Sequence, residues 1–494
     1  MRMRLACLLS AATGFVALSY EILWVRIHSF ATEGRAGSFG KLLGAYLLGI
    51  ALGSFLARRW CAGGDRPMRA LGLFVLFANL LGFLLVPAVA ALARVAPPSL
   101  ALPLIALVAA LLGTNLPLIA HFAIPADAEA GARLSRIYLA NIGGSAAGSL
   151  LTGFLFLDLW RIGTIALLLA ALGVTLAAGI AAIGSRRLAG QLLAAGGAAL
   201  ALLAWTRPYD GGYEKLQLKE EYRAGYRFLQ LIENRSGVIS VDREERVYGG
   251  GAYDGKFTVD PVDDSNGIVR AYALAALHPA PKRVLMVGLG SGAWAQVVAN
   301  HPGLERLLIV EINPGYVALV REWPLVASLL ANPKVEIVID DGRRWLHRHA
   351  ETFDAIVQNT THHWRAHATN LLSREYLELV KAHLAPGGIT YLNTTGADAV
   401  ARTALAVFPN VRRLRNFLAA GDAPLAVEGE SVRAVLAAWT IDGVRMLDPA
   451  RTECRARIDE ILGAGDWEGK PSLEARTRAS PVITDDNMAT EWGR

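Results

Sequence analysis

The chain has 494 residues, 53% of them hydrophobic, and a formal net charge of +6. This length exceeds one ordinary domain, and the apolar excess lies almost wholly before Arg207, which excludes a single soluble domain. Arg at the loop ends of membrane helices accounts for such a charge without a nucleic-acid partner, and the scattered Cys7, Cys61 and Cys454 do not form a disulfide framework or a zinc site.

A helix needs roughly 20 apolar residues to cross the hydrocarbon of a bilayer. Runs of that kind are predicted over about 5–24, 39–57, 70–93, 99–124, 136–157, 162–184 and 188–206, a transmembrane domain of about seven spans over 1–206. The first run carries Glu21 and Arg26 and is followed by further spans, so it does not read as a cleavable signal peptide. Small residues recur at four-residue spacing, Gly49 with Gly53 and Gly144 with Gly148, as helices that approach closely in lipid require. Glu21 and Arg26 are costly at membrane depth. They read either as a site for a lipid headgroup or substrate, or as interfacial side chains that lock helices together. Arg2, Arg4 and the Arg of the 58–69, 133–136 and 186–187 loops place those loops inside. Seven spans would then put residues 207–494 outside, whereas a nucleotide-type ligand favours the cytoplasm. The expected location is the cell inner membrane, multi-pass, with the soluble part cytoplasmic.

After the Arg207–Gly212 boundary, strands are expected at Tyr226–Glu233 and Gly237–Val241, a small β-rich cap over 207–260. The run Gly249–Gly255 reads as a flexible loop and 267–277 as a helix. From Arg283 onward strands alternate with helices: strands at Arg283–Val287, Leu307–Glu311, Val335–Ile339, Phe353–Val357 and Ile389–Asn393, helices at Ala293–Ala299, Pro314–Arg321 and Arg374–Leu384. That rhythm predicts an α/β doubly wound, Rossmann-like parallel sheet over 261–494. No motif is legible in 394–480.

Ligands of such sheets sit beyond the carboxyl ends of the strands. Gly288, Gly290 and Gly292 follow the first strand, Glu311 ends the second and Asp341 follows the third. Glycines let the backbone turn sharply against a ligand, Glu311 can accept both hydroxyls of a ribose, and Asp341 can meet an adenine amino group. A dinucleotide fingerprint would space its glycines Gly-x-Gly-x-x-Gly. Here the spacing is Gly-x-Gly-x-Gly, which suits an S-adenosylmethionine-type ligand.

Several segments resemble the spermidine synthase (polyamine aminopropyltransferase) family, and its bacterial branch fused to membrane helices: Lys282–Gly292, Val310–Asn313, Val335–Gly342, Leu371–Tyr376, Leu384–Gly388, and, in the apolar half, Tyr20–Arg26 and Tyr138–Gly144. The resemblance implies that Glu311 binds the ribose and Asp341 the adenine of S-adenosylmethionine or decarboxylated S-adenosylmethionine, the co-substrate. It also implies an Asp-Ser-Ser-Asp-type loop after the fourth strand, whose carboxylates deprotonate and bind the attacking amine. This chain has Gln358-Asn359-Thr360-Thr361-His362-His363 instead. Asn cannot take a proton, so ordinary spermidine synthesis is not the expected reaction. His362, His363 and His367 cluster on that loop, and a neutral imidazole is a possible base; no carboxylate spacing supports a metal site. Arg365 and Arg227 could hold an anionic group of a non-standard acceptor, small molecule or lipid. The expected function is membrane-bound methyl or aminopropyl transfer, with a homodimer possible; the alternative is a non-catalytic nucleoside-binding or transport-associated membrane protein.

Overall fold

The computed structural model describes residues 3–62, 67–359, 362–425, 429–463 and 467–492. Thr360 and Thr361 of the predicted loop lie outside the described residues. The chain forms two compact units, one of residues 1–228 with 233–237 and one of 229–232 with 238–494.

The first unit is helical. Seven helices in it are long and apolar enough to cross a membrane: Met3–Ala31, Gly37–Cys61, Arg69–Leu92, Pro98–Ala123, Ala130–Leu159, Ile162–Gly184 and Arg186–Thr206. Each expected run coincides with one of them, two (70–93 and 99–124) overrunning the helix end by a single residue. Pro98–Ala123 is interrupted, with α-helices at Ala101–Gly113 and Asn115–Ala123 flanking Thr114, and Ala130–Leu159 contains a π-helical turn at Thr152–Phe156. The small residues lie where backbones meet. A Cβ added to Gly53 would stand 1.8 Å from the Ala110 carbonyl oxygen, and one on Gly144 would stand 1.9 Å from that of Ala11. Polar groups inside the unit find carbonyls: Asn141 Nδ2 donates to Ser10 O at 3.0 Å and the Tyr20 hydroxyl to Asn79 O at 3.0 Å. Arg26 is committed in the same way, its guanidinium donating to the carbonyls of Asn234 (2.5 Å), Arg235 (3.0 Å) and Gly237 (3.2 Å). The helix-locking reading of Arg26 is therefore nearest to what is observed, with a turn of backbone as its partner. Glu21 is buried in the same helix.

The second unit opens with a four-stranded sheet in the order β1-β2-β3-β4, formed by β1 (Gln230–Asn234), β2 (Gly237–Val241), β3 (Arg246–Gly249) and β4 (Ala252–Lys256). The expected flexible loop at 249–255 is instead the turn and second arm of an antiparallel hairpin, with Gly249 opposite Ala252. Gly250 and Gly251 have φ of +57° and +85°, the conformation that lets a two-residue turn join twisted strands. The expected helix over 267–277 is two short ones, Val269–Tyr272 and Leu274–Leu277.

The main sheet has eight strands in the order β14-β10-β11-β9-β8-β5-β6-β7. Its parallel part is β5 (Arg283–Val287), β6 (Arg306–Glu311), β7 (Val335–Ile339), β8 (Phe353–Gln358) and β9 (Leu384–Asn393). The order 9-8-5-6-7 reverses at β5, so a crevice opens beyond the carboxyl ends of β5 and β8. The purely parallel sheet expected from sequence is corrected to a mixed one. β11 (Phe417–Gly421) runs antiparallel to β9, β10 (Asn410–Leu414) pairs with β11, and β14 (Trp467–Glu468) closes the edge. The cause is a two-residue turn, Arg415-Asn416, too short for the helical crossover that parallel strands need. β12 (Thr440–Ile441) and β13 (Val444–Arg445) form a separate small ribbon. Apolar clusters cover both faces of the main sheet, one including Val284, Met286 and Trp294, the other Leu285, Val287 and Trp345. This burial holds the strand ends, and the side chains on them, in fixed register.

Candidate active site

The turn after β5 brings some of the predicted residues, Gly288, Gly290, Glu311 and Asn359, together beyond the carboxyl ends of the central strands of the main sheet. Gly288 and Gly290 have φ of +91° and +54° and line a small cavity with Met286, Leu289, Ser291 and Asn359. A Cβ on Gly288 would meet nothing within 4 Å, so this glycine faces open space. Gly292 is different. Its φ is +78°, and an added Cβ would lie 2.7 Å from Val320; it packs the turn against the helix Gly315–Glu322.

Glu311 lies beneath the turn, buried, with one carboxylate oxygen accepting from Leu289 N and the other from Asn313 N, both at 2.7 Å. Burial pushes its pKa up to about 7, against the pull of those backbone N–H groups. Each oxygen keeps a second lone pair, so donation from hydroxyl groups remains open to it. Asp340 N donates to Glu311 O at 3.1 Å, which carries the next residue, Asp341, to the same end of the sheet. Asp341 caps the helix Gly342–Arg348, accepting from Arg344 N at 2.8 Å, and does not line the small cavity or the larger pocket beside it.

Beside the glycine turn lies a larger pocket of about 430 Å³. Asn359 and His362 line it, with Asp254, Arg270, Trp294 and Asn393. Asp254, Gly255, Asn266, Trp294 and Asn359 line both cavities. Of the predicted histidines, His362 reaches the pocket, its ring stacked on Trp364 at 5.1 Å. His363 does not: it is tied by its backbone to Thr395 and Thr490, and burial, then the neighbouring His362, lowers its pKa. His367 is an exposed residue with φ of +66°. The expected three-histidine cluster is therefore not formed at the pocket, and no group of three metal-ligating side chains occurs among the described residues. Arg365 packs near Gly250, and its charge acts on Asp254. Arg227 belongs to the helical unit, donating to Tyr226 O at 2.8 Å; it, Glu21 and Arg26 line neither cavity.

Sequence reasoning missed Asp254. Its carboxylate accepts from the Tyr316 hydroxyl, and loss of water on burial raises its pKa, opposed by Tyr316 and Arg365. The signal was present: two short runs split by Gly250-Gly251 form a hairpin pattern, which puts Asp254 on a strand rather than in a loop. Arg270, Trp294 and Asn416 also went unread, because they converge from three segments far apart in the chain.

Residues 272–404 match the family model "Spermine/spermidine synthase domain". The chain is 38% identical over 113 residues to a spermidine synthase of Dictyostelium discoideum, covering 23% of this chain and 39% of that protein. It is 32% identical over 143 residues to a polyamine aminopropyltransferase of Desulforudis audaxviator, covering 27% and 52%. It thus spans about a third to a half of the length of these curated relatives. The spermidine synthase structure from Thermotoga maritima aligns with a TM-score of 0.38 at 17% identity, over 48% of this chain and 88% of that one. Within the α/β unit, residues 272–404 are thus similar to the spermidine synthase family.

Proposed function

We propose that the protein is a membrane-bound transferase that takes a sulfonium donor of the S-adenosylmethionine class in the glycine-turn crevice and an acceptor in the adjoining pocket. Decarboxylated S-adenosylmethionine, as an aminopropyl donor, is favoured by the relatives' activity. The observation that carries this reading is the shared wall: Asp254 and Asn359 face both cavities, so molecules bound in the two would meet there. Such alignment is most of what a displacement at a sulfonium carbon needs. As a C–N bond forms, the C–S bond breaks, the sulfur leaves as a neutral thioether, and the nitrogen's extra proton passes to a base. Asn359 cannot be that base. His362 lines the pocket and is assigned the role; Asp254 is the one carboxylate on the pocket wall among the described residues and orients the amine. Glu311 is assigned to the ribose hydroxyls and Asp341 to the adenine edge. The seven apolar helices are assigned to a bacterial inner membrane with the α/β unit cytoplasmic, where a nucleoside donor is made.

The presence of Asn359 where the family has a carboxylate favours one rival reading, a nucleoside-binding protein without turnover. Calorimetric titration of the full chain with S-adenosylmethionine, its decarboxylated form and 5′-methylthioadenosine identifies the ligand. Product formation that disappears in Glu311→Ala and His362→Ala supports the transferase; binding of a donor with no product supports the rival.

A further inference from the structure

The polar wall of the larger pocket has a fixed direction. Arg270 can only donate. Its Nη1 donates to Asn416 Oδ1, leaving Asn416 Nδ2 to donate to Asn393 Oδ1 at 2.8 Å. Asn393 Oδ1 also accepts from the backbone N of Thr395 at 2.8 Å, a second donor that cannot be reversed. Asn393 Nδ2 then donates to Asn359 Oδ1 at 3.0 Å. Amide orientation is normally an assignment rather than an observation, but here obligatory donors at two points set it. The relay ends on the Asn359 amide, whose carbonyl accepts from Asn393 and whose NH₂ is the donor end of the chain.

The charges agree. Asp254 and Arg270 are the acid and the strong base on this wall among the described residues, and Asp254 is already engaged by Tyr316 and influenced by Arg365. Three of the five N–H donors of Arg270 go to Gly267 O, Asn266 O and Asn416, which leaves two. A dication would meet one carboxylate and, with it, the Arg270 guanidinium. A molecule with an amine at one end and an anionic oxygen at the other would satisfy both.

We propose that the acceptor is an amine bearing a carboxylate or phosphate, and that Arg270 and the Asn359 amide receive its anionic oxygen while the amine lies toward Asp254. This rests on the transferase reading above. It makes the pocket selective against simple diamines, because a second ammonium would face the Arg270 guanidinium with the one carboxylate on the wall already facing the first.

The test uses the full chain in phosphatidylcholine nanodiscs loaded with 5′-methylthioadenosine, titrated with putrescine, 4-aminobutyrate and 2-aminoethyl phosphate. Putrescine and 4-aminobutyrate have the same carbon spacing and differ in the charge of one end. Wild type is expected to bind an anionic probe at least about tenfold more tightly than putrescine, and N359D, which keeps the acceptor for Asn393 but places a carboxylate against the anion, to lower that ratio by about tenfold or more. R270Q should lower it too. Discs containing phosphatidylethanolamine separate the sources: competition by that lipid assigns a headgroup, and its absence a free metabolite. Tighter putrescine binding in wild type, an unchanged ratio in N359D, or no anionic probe bound at about 10 mM overturns the proposal while leaving the donor crevice intact. Failure to bind 5′-methylthioadenosine at all removes the transferase reading, and this inference with it.

Discussion

Glu311 and the three glycines show how different roles hide in one motif. Burial places the Glu311 pKa near 7, above its unfolded value, so its contribution to stability is complete in acid and is lost as pH rises through about 7. Ligand binding has the opposite sign, since ribose hydroxyls donate best to the charged carboxylate. Affinity for 5′-methylthioadenosine should therefore rise from pH 5.5 to 8 while the melting temperature of the ligand-free protein declines, and Glu311→Gln should flatten both curves. A calorimetric pH series checks this; an affinity that falls with pH contradicts it. Gly288→Ala should leave the protein folded, at a left-handed-backbone cost of about 1–2 kcal/mol, yet abolish nucleoside binding on the proposed reading, because its Cβ enters the open space assigned to the donor. Gly292→Ala should cost more stability, about 2–4 kcal/mol, because the same strain is joined by a contact with Val320. Equal losses of stability at the two positions would show that the turn has one role, not two.

The helices and strands that the sequence made legible are those with an uninterrupted period. The apolar runs gave all seven long helices, and β5 through β9 were found by their short apolar stretches, because both features are local. The antiparallel edge was hidden: β10 and β11 depend on the Arg415-Asn416 turn, whose residues resemble any polar loop, and β14 has two residues. The hairpin carrying Asp254 was misread for the opposite reason, since its glycines suggested freedom where they impose a tight turn. The spacing of Gly144 and Gly148 was readable and has a specific consequence. Both meet backbone of the first helix, with added Cβ atoms 1.9 Å and 2.3 Å from the carbonyl oxygens of Ala11 and Phe15. Gly144→Val should push these helices apart and lower the melting temperature in detergent markedly, whereas Gly143→Val, where a Cβ meets nothing within 4 Å, should have little effect. Comparable melting of the two variants would contradict close backbone packing.

For the molecule as a whole, the sequence disclosed seven long apolar helices joined to an α/β sheet, and singled out Gly288, Gly290, Glu311, Asn359 and His362, which lie near one another beyond the carboxyl ends of the central strands. It could not disclose the pocket wall, because Arg270, Asn393 and Asn416 acquire meaning only through hydrogen bonds between distant segments. The boundary also differs in form: the turn 233–237 groups with the helices rather than with the cap. On the proposed reading this arrangement turns over a sulfonium donor. The most direct measurement is mass spectrometry of the nucleoside released when the full chain in nanodiscs is given decarboxylated S-adenosylmethionine or S-adenosylmethionine with 4-aminobutyrate and 2-aminoethyl phosphate as acceptors. Release of 5′-methylthioadenosine from the first, or S-adenosylhomocysteine from the second, by wild type and not by Glu311→Ala or His362→Ala, is the predicted result. A donor that binds and is recovered intact with every acceptor would contradict it.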